Sequence, residues 1–130
     1  MYRAITHNIK VEVEPVYLDH KSNPDEKHYF WAYRVEIHNL SQVTVQLRDR
    51  YWKIADGNGH IEEVRGAGVV GEQPILQPGE SFEYTSGCPL ATPSGFMMGS
   101  YTMVSEDGGE FDVDIPAFSL DIPDEPRLLN

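Results

Sequence analysis

The chain has 130 residues, of which 40% are hydrophobic and 24% charged, and these are ordinary values for one globular domain. Its 21 acidic residues outnumber its 10 basic ones and give a formal net charge of -11, which argues against a nucleic-acid partner. Cys88 is the only cysteine, which excludes an internal disulfide. Since no stretch reads as a signal peptide or a membrane span, we expect a cytoplasmic protein without a membrane partner.

Hydrophobic residues recur with a period of two along most of the chain, and this is the period of a β-strand. The stretch 28–39, HYFWAYRVEIHN, shows it most regularly, with apolar residues at the odd positions from Tyr29 to Ile37. No segment carries a convincing helical period. In chain order, the pattern predicts strands at residues 9–18, 28–39, 43–54, 60–65, 80–85, 97–105 and 110–120.

Three of these predicted strands change the parity of their apolar positions midway. The changes fall at Pro15 in the first strand, near Asp49 in the third and at Pro116 in the last. A proline at such a change suggests an edge strand that bends or changes partner there. Strands that swap faces midway suit a sandwich whose strands twist between two sheets.

About seven strands, separated by turn signals such as Asn58-Gly59, predict an all-β fold, a fibronectin type III-like or immunoglobulin-like β-sandwich. The lone Cys88 cannot form the disulfide of antibody domains, which favours the fibronectin-like version. We predict one sandwich domain over residues 1–122. The last residues, 123–130, are rich in proline and acids and predict a loose tail.

A glycine-rich stretch, EVRGAGVVGEQPILQPGE, contains Gly66, Gly68 and Gly71 at the spacing of a dinucleotide-binding fingerprint. That fingerprint works only where a helix begins at the glycines and presents its free N–H groups to the pyrophosphate. Pro74 follows too soon for such a helix. The sequence therefore argues against a Rossmann-type nucleotide site.

Two interpretations of the glycines remain open. A crossover loop between two sheets needs them for its geometry, and we favour this interpretation. Alternatively, successive backbone N–H groups form a concave nest for an anion such as pyrophosphate, with Arg65 beside it. In that case Arg48, Arg50 or Lys53 would be further contacts if the strands bring them near.

The remaining polar clusters predict little chemistry. One loop gathers oxygen and imidazole donors without a recognised ligand spacing, and we interpret it as a solvated acidic loop rather than a metal site. Its members are Asp19, His20, Asp25, Glu26 and His28. Cys88 has no base near it in sequence, which favours a small buried or loop cysteine over a nucleophile. We predict no catalytic residue, no metal and no cofactor.

Four ordered segments of the chain resemble the bacterial ApaG proteins: LRDRYWKIADGNG, VRGAGVVGEQPILQPGE, FEYTSGCPLATPSGFMMGSY and FDVDIPAFSL. The resemblance covers about residues 6–120. It implies a fibronectin type III-like sandwich, in agreement with the strand count. It also implies an association with cobalt resistance and magnesium efflux, and a gene neighbourhood with a diadenosine-tetraphosphate hydrolase, but no assigned catalytic residues.

The resemblance implies that the function is to recognise another molecule. Related domains in eukaryotic F-box proteins and in a DNA-polymerase-interacting protein imply a role in protein binding. We therefore expect a noncatalytic binding module with a protein partner that the sequence does not identify. The alternative is a sensor that binds a nucleotide polyphosphate or pyrophosphate at Arg65, Gly66, Gly68 and Gly71, because these glycines match the family pattern.

Overall fold

The computed structural model describes residues 1–123, which form two antiparallel β-sheets packed face to face. Within these residues the strands are β1 (Tyr2–Thr6), β2 (Ile9–Tyr17), β3 (Tyr29–Asn39), β4 (Val45–Asp56), β5 (Ile61–Ala67), β6 (Ile75–Leu76), β7 (Ser81–Leu90), β8 (Ser94–Ser105) and β9 (Glu110–Asp121). The first sheet has the order β1-β2-β3-β7, and the second has the order β5-β4-β8-β9 with β6 also paired to β4. The predicted all-β sandwich is confirmed.

Helical structure in the described residues is confined to two single 3₁₀ turns, Asp19–Lys21 and Pro24–Glu26, between β2 and β3. No helix within residues 1–123 has the length and apolarity needed to span a bilayer. The loose tail predicted for residues 123–130 lies, apart from Pro123, outside the described residues.

The seven predicted strands correspond to β2–β5 and β7–β9, whereas β1 and the two-residue β6 were not predicted. The turn between β1 and β2 is the dipeptide His7-Asn8, with positive φ at both residues (51° and 62°). Tight hairpin turns with two positive φ angles are usually signalled by Asn-Gly or Asp-Gly. Because His7-Asn8 contains no glycine, neither the turn nor the short strand before it carries a sequence signal.

The core fills the space between the two sheets and is built from alternate positions of each strand. In β3, every second residue from Trp31 to Asn39 is buried, as its alternation predicts. The largest fully buried side chains are Trp31, Tyr101, Phe118, Ile9, Ile37, Leu47, Met97, Met103 and Leu120.

Two of the three predicted changes of parity are β-bulges, and the third is absent. In β4, Leu47 and Asp49 pair with consecutive residues of β8, so that Arg48 is an extra residue. The pairing of β9 with β8 shifts in the same way around Pro116. The change predicted at Pro15 is wrong, because Val16 is 51% exposed and the alternation of β2 continues.

The two long sides of the sandwich differ in how they are closed. On one side, β1 and β3 contact β9, where the Tyr2 hydroxyl lies 2.9 Å from Ser119 Oγ and Trp31 Nε1 donates to the Asp121 carbonyl at 2.9 Å. On the other side lie β5 and β7, the edge strands of the two sheets. Within residues 1–123, no side-chain hydrogen bond or ion pair joins β5 to β7, and a cleft opens between them.

Candidate functional site

The cleft between β5 and β7, which we call the edge cleft, enters the sandwich beside the glycine-rich stretch. It consists of two adjoining cavities. The one beside residues 69–71, which we call the upper cavity, has a volume of about 230 Å³, and the one beside Glu62 and Cys88, the lower cavity, has a volume of about 300 Å³. Arg50, Tyr33, Trp52 and Ser86 line both cavities. The upper cavity also contacts residues 69–71 and Tyr84, and the lower cavity contacts Glu62, Val64, Cys88 and Met97.

Arg50 faces the edge cleft because of the bulge in β4. In a regular strand, residues 47, 49 and 51 would share the buried face, but the extra residue Arg48 moves positions 50 and 52 to that face instead. Trp52 is accordingly buried with 3% exposure, and Arg50 is partly buried beside it.

The Arg50 guanidinium is held by backbone carbonyls rather than by a carboxylate. Its Nη1 donates to the carbonyl oxygens of Ala67 and Gly68, both at 3.0 Å. No carboxylate in residues 1–123 lies within ion-pair distance of it. The other edge of the guanidinium, formed by Nε and Nη2, has no hydrogen-bond acceptor among the described residues. This edge has the two parallel N–H donors that match a carboxylate or a phosphate.

Each of the three predicted glycines has a structural reason for being glycine. A Cβ on Gly66 would lie 2.8 Å from Arg50 Nη2, so a larger residue there would require the guanidinium to shift from its observed position. A Cβ on Gly68 would lie 2.2 Å from the Glu72 carbonyl oxygen, and its φ is +64°. Gly71 has a φ of +80° in the tight turn after Val69.

The backbone N–H groups of this stretch are largely used inside the protein. The N–H of Gly68 donates to the Arg48 carbonyl at 2.8 Å, and Val69 and Glu72 donate to each other at 2.8 and 2.9 Å. The groups that converge on Arg50 are carbonyl oxygens, which attract cations and not anions. An anion nest at Gly66, Gly68 and Gly71 remains a prediction, and these hydrogen bonds favour the structural interpretation of the glycines.

Arg65 lies on the other face of β5, away from the edge cleft. Its guanidinium is 4.3 Å from the centroid of the Tyr51 ring, its partner on β4, and its side chain is 73% exposed. The other basic candidates also face outward: Arg48 pairs with Glu110, and Lys53 lines a groove on the outer surface with Tyr51. Of the four basic residues that the sequence singled out, Arg50 is the one that meets the glycine stretch.

Known proteins share the stretch of chain that forms the edge cleft. The sequence pattern of the ApaG domain family matches residues 19–105. The chain belongs to the ApaG family. Protein ApaG of Brucella anthropi is 62% identical over 130 residues, with both chains covered completely, and that of Brucella canis is 59% identical over the same length.

A solved structure has a fold similar to that of this ApaG chain. The crystal structure of a Bordetella pertussis protein described as ApaA is 47% identical and superimposes with a TM-score of 0.88, covering 92% of this chain and 97% of that one. The predicted family is therefore confirmed. The ApaG match includes Arg50, the glycine stretch and β7, so the whole edge cleft lies within it.

The phenol and thiol groups of the ApaG edge cleft are protonated at neutral pH. Burial raises the pKa of Cys88 to about 11, with a smaller contribution from the Glu62 carboxylate. Burial also raises the pKa of Tyr33, although Ser86 and Arg50 partly oppose it. Since a thiol near pKa 11 is a weak nucleophile at pH 7, Cys88 fits the buried structural cysteine that the sequence predicted.

Proposed function

We propose that this ApaG chain is a noncatalytic binding module whose edge cleft takes an extended segment of a protein partner, with one carboxylate of that segment on Arg50. The observation that carries the proposal is the Nε–Nη2 edge of the partly buried Arg50, which has no acceptor within residues 1–123. The N–H groups on this edge of a partly buried arginine are available to a ligand or to water.

The surroundings of Arg50 support an extended protein segment as the ligand. The cleft lies between two edge strands, β5 and β7, and edge strands carry unpaired backbone groups that an added strand can bond. Aromatic side chains, including Tyr33, Trp52 and Tyr84, line the cleft and suit apolar residues that flank the carboxylate. The net charge of -11 opposes strongly acidic partners, so a single carboxylate at Arg50 fits better than an acidic run.

The buried phenol and thiol groups of the cleft are unsuited to general base catalysis. Burial raises the pKa values of Tyr33, Tyr84 and Cys88. None of these three groups can therefore act as a base at neutral pH, and general acid–base catalysis needs a group poised near that pH.

A second candidate is a nucleotide polyphosphate or pyrophosphate in the same cleft. The observation in its favour is that the Nε–Nη2 edge of Arg50 fits phosphate oxygens as well as carboxylate oxygens, and residues 69–71 border the same cavity. In this form the anion site centres on Arg50 instead of Arg65.

An amide NMR titration separates the two candidates. The probes are a short apolar peptide with a free C-terminal carboxylate, the same peptide amidated at its C-terminus, pyrophosphate and ATP. We expect the free carboxylate to shift resonances of residues 64–71 and 84–88, and Arg50→Gln to weaken its binding at least about tenfold, the order expected for a charged hydrogen-bond pair. Arg65→Gln is the matched control and should bind as the wild type does.

The other outcomes have distinct meanings. Shifts with ATP and pyrophosphate alone would favour the polyphosphate candidate. Silence with all four probes at millimolar concentration, or equal binding by Arg50→Gln, would remove Arg50 from any binding site. A pull-down from native cytosol with the wild type and with Arg50→Gln would then show whether any partner depends on the edge cleft.

A further inference from the structure

The outer face of the first sheet carries a row of like charges outside the edge cleft. Glu12 on β2 pairs with Glu36 on β3, and Glu36 pairs with Glu83 on β7, so three glutamates stand side by side across the sheet. Like charges directly opposite each other on neighbouring strands are destabilising. A cation next to the three carboxylates would reduce this repulsion.

His38 brings an imidazole to the same point. It is two residues after Glu36 on β3 and therefore shares its face of the sheet. Its Nε2 lies 3.3 Å from Oε1 of Glu12 and 3.3 Å from Oε1 of Glu36. Nε2 is buried and makes no hydrogen bond of acceptable geometry within the described residues. The three donor atoms lie within 4.8 Å of one another.

Two arginines fix the direction of the carboxylates. Arg3 Nε is 3.2 Å from Oε2 of Glu12, and Arg34 Nη1 donates to Oε2 of Glu36. Each carboxylate therefore has one oxygen held by an arginine and the other directed at His38. Partners that hold the outer oxygen of a ligand in this way orient it and strengthen metal binding.

The distances from His38 Nε2 to the two carboxylates fit those between ligands that share a metal ion. Two ligands at about 2.0–2.1 Å from a tetrahedral ion are about 3.4 Å apart. A charge-assisted N–H···O bond is shorter, about 2.7–2.9 Å. The distances of 3.3 Å from Nε2 to both carboxylates match the first value.

We propose that Glu12, Glu36 and His38 form a binding site for a first-row divalent transition-metal ion such as Zn²⁺. One imidazole and two carboxylates are a ligand set that suits such ions, and the open side of the triad leaves a position for water. Glu12 is 12% exposed, His38 24% and Glu36 26%, so the site is shielded but reachable.

The charges around the site are nearly balanced. Arg3 lies beside the Glu12 carboxylate and Arg34 beside the Glu36 carboxylate, so each carboxylate has a cation next to it. Arg34 also contacts Glu14 and Glu83, which neutralises some of its own charge next to the ion.

Isothermal titration with zinc chloride tests the site. We expect one Zn²⁺ per chain in the wild type, with affinity at least about tenfold weaker in Glu36→Gln and in His38→Gln, since each loses one ligand. His60→Gln is the matched control, because His60 is an exposed histidine near a carboxylate, Asp56, but outside the triad. Its affinity should equal that of the wild type. No uptake by the wild type, or equal uptake by His38→Gln, would overturn the proposal.

A second measurement uses the wild type alone and so does not depend on how the variants fold. Nitrogen-15 NMR of the histidine side chains should show a large Zn²⁺-dependent shift of Nε2 in His38. A shift confined to the other histidines, or a His38 signal that responds to pH and not to Zn²⁺, would assign this cluster to a proton instead of a metal and would also overturn the proposal.

Discussion

The two long sides of the sandwich have the same kind of strands but opposite bonding. On the β1/β9 side, hydroxyl and indole groups bond across from one sheet to the other, including the Tyr2–Ser119 and Trp31–Asp121 contacts. On the β5/β7 side, Tyr84 of β7 bonds across to Tyr101 of β8, but Arg50 bonds only to carbonyls at the end of β5. The polar groups of the β1/β9 side join the two sheets, whereas the β5/β7 side leaves the Nε and Nη2 donors of Arg50 available.

This contrast indicates where binding can evolve in a sandwich. A side that is closed by its own hydrogen bonds has no groups left for a ligand. A side that is open, but contains a preformed arginine held in place by glycine-backed carbonyls, offers a rigid site at no further folding cost. The edge cleft therefore depends on the closed side for stability, and this dependence can be tested.

The largest expected effect is on the core next to the closed side. Phe118 is 2% exposed, and its ring lies 5.9 Å from Tyr2 and 6.0 Å from Trp52. We expect Phe118→Ala to lower the free energy of unfolding by about 3–5 kcal/mol, because it removes a large buried ring and leaves a cavity. Urea unfolding measures this value. A loss below about 1 kcal/mol would show that the closed side does not hold the sheets together.

A smaller loss is expected on the open side from Gly68→Ala. A residue other than glycine at positive φ costs about 1–3 kcal/mol, and here the new Cβ would also meet the Glu72 carbonyl oxygen at 2.2 Å. Gly79→Ala is the control, since its φ is +87° but nothing lies within 4 Å of its Cβ position. If the two variants were equally stable in urea, the backbone contact at Gly68 would carry no weight.

Alkaline pH should weaken a buried hydroxyl bond near the open side, between Tyr84 on β7 and Tyr101 on β8. Burial raises the pKa of both groups. Their stabilisation is therefore complete below the unfolded pKa of about 10 and is lost as the pH rises above it, by up to about 1.4 kcal/mol per pH unit for each group. Urea unfolding between pH 9 and 11.5 should show this decline, and the double variant with phenylalanine at both positions should reduce it. An equal decline in the double variant would assign it to other groups.

The sequence predicted the strands better than the site, for identifiable reasons. Alternation located β3 because one face of it is buried throughout. The parity change near Asp49 was visible, but the position of the extra residue was not, and that position decides whether Arg50 faces inward. The structural interpretation of the glycine stretch agrees with the turn geometry of Gly68 and Gly71.

Other features of the site depend on pairing that a single sequence does not contain. Gly66 is glycine because the Arg50 guanidinium crosses above it, and Arg50 is on another strand. Glu12 becomes a neighbour of Glu36 and His38 only through the register of β2 with β3. A hairpin of known register would have been enough to find them, because residues opposite each other and two positions apart share one face.

Because of the bulge in β4, the number of residues in the strand can change without changing which side chains face inward. Arg48 is the accommodated residue, so a chain from which it is deleted would pair regularly and still direct Arg50 and Trp52 inward. It would lose the contact of Arg48 with Glu110 and the Arg48 carbonyl that accepts from Gly68 N–H and Gln73 Nε2. A deletion three positions later, at Tyr51, would instead turn Trp52 toward solvent. Position 48 is thus a place where a single-residue deletion preserves the inward and outward directions of the side chains that follow, whereas a deletion elsewhere in the strand reverses them.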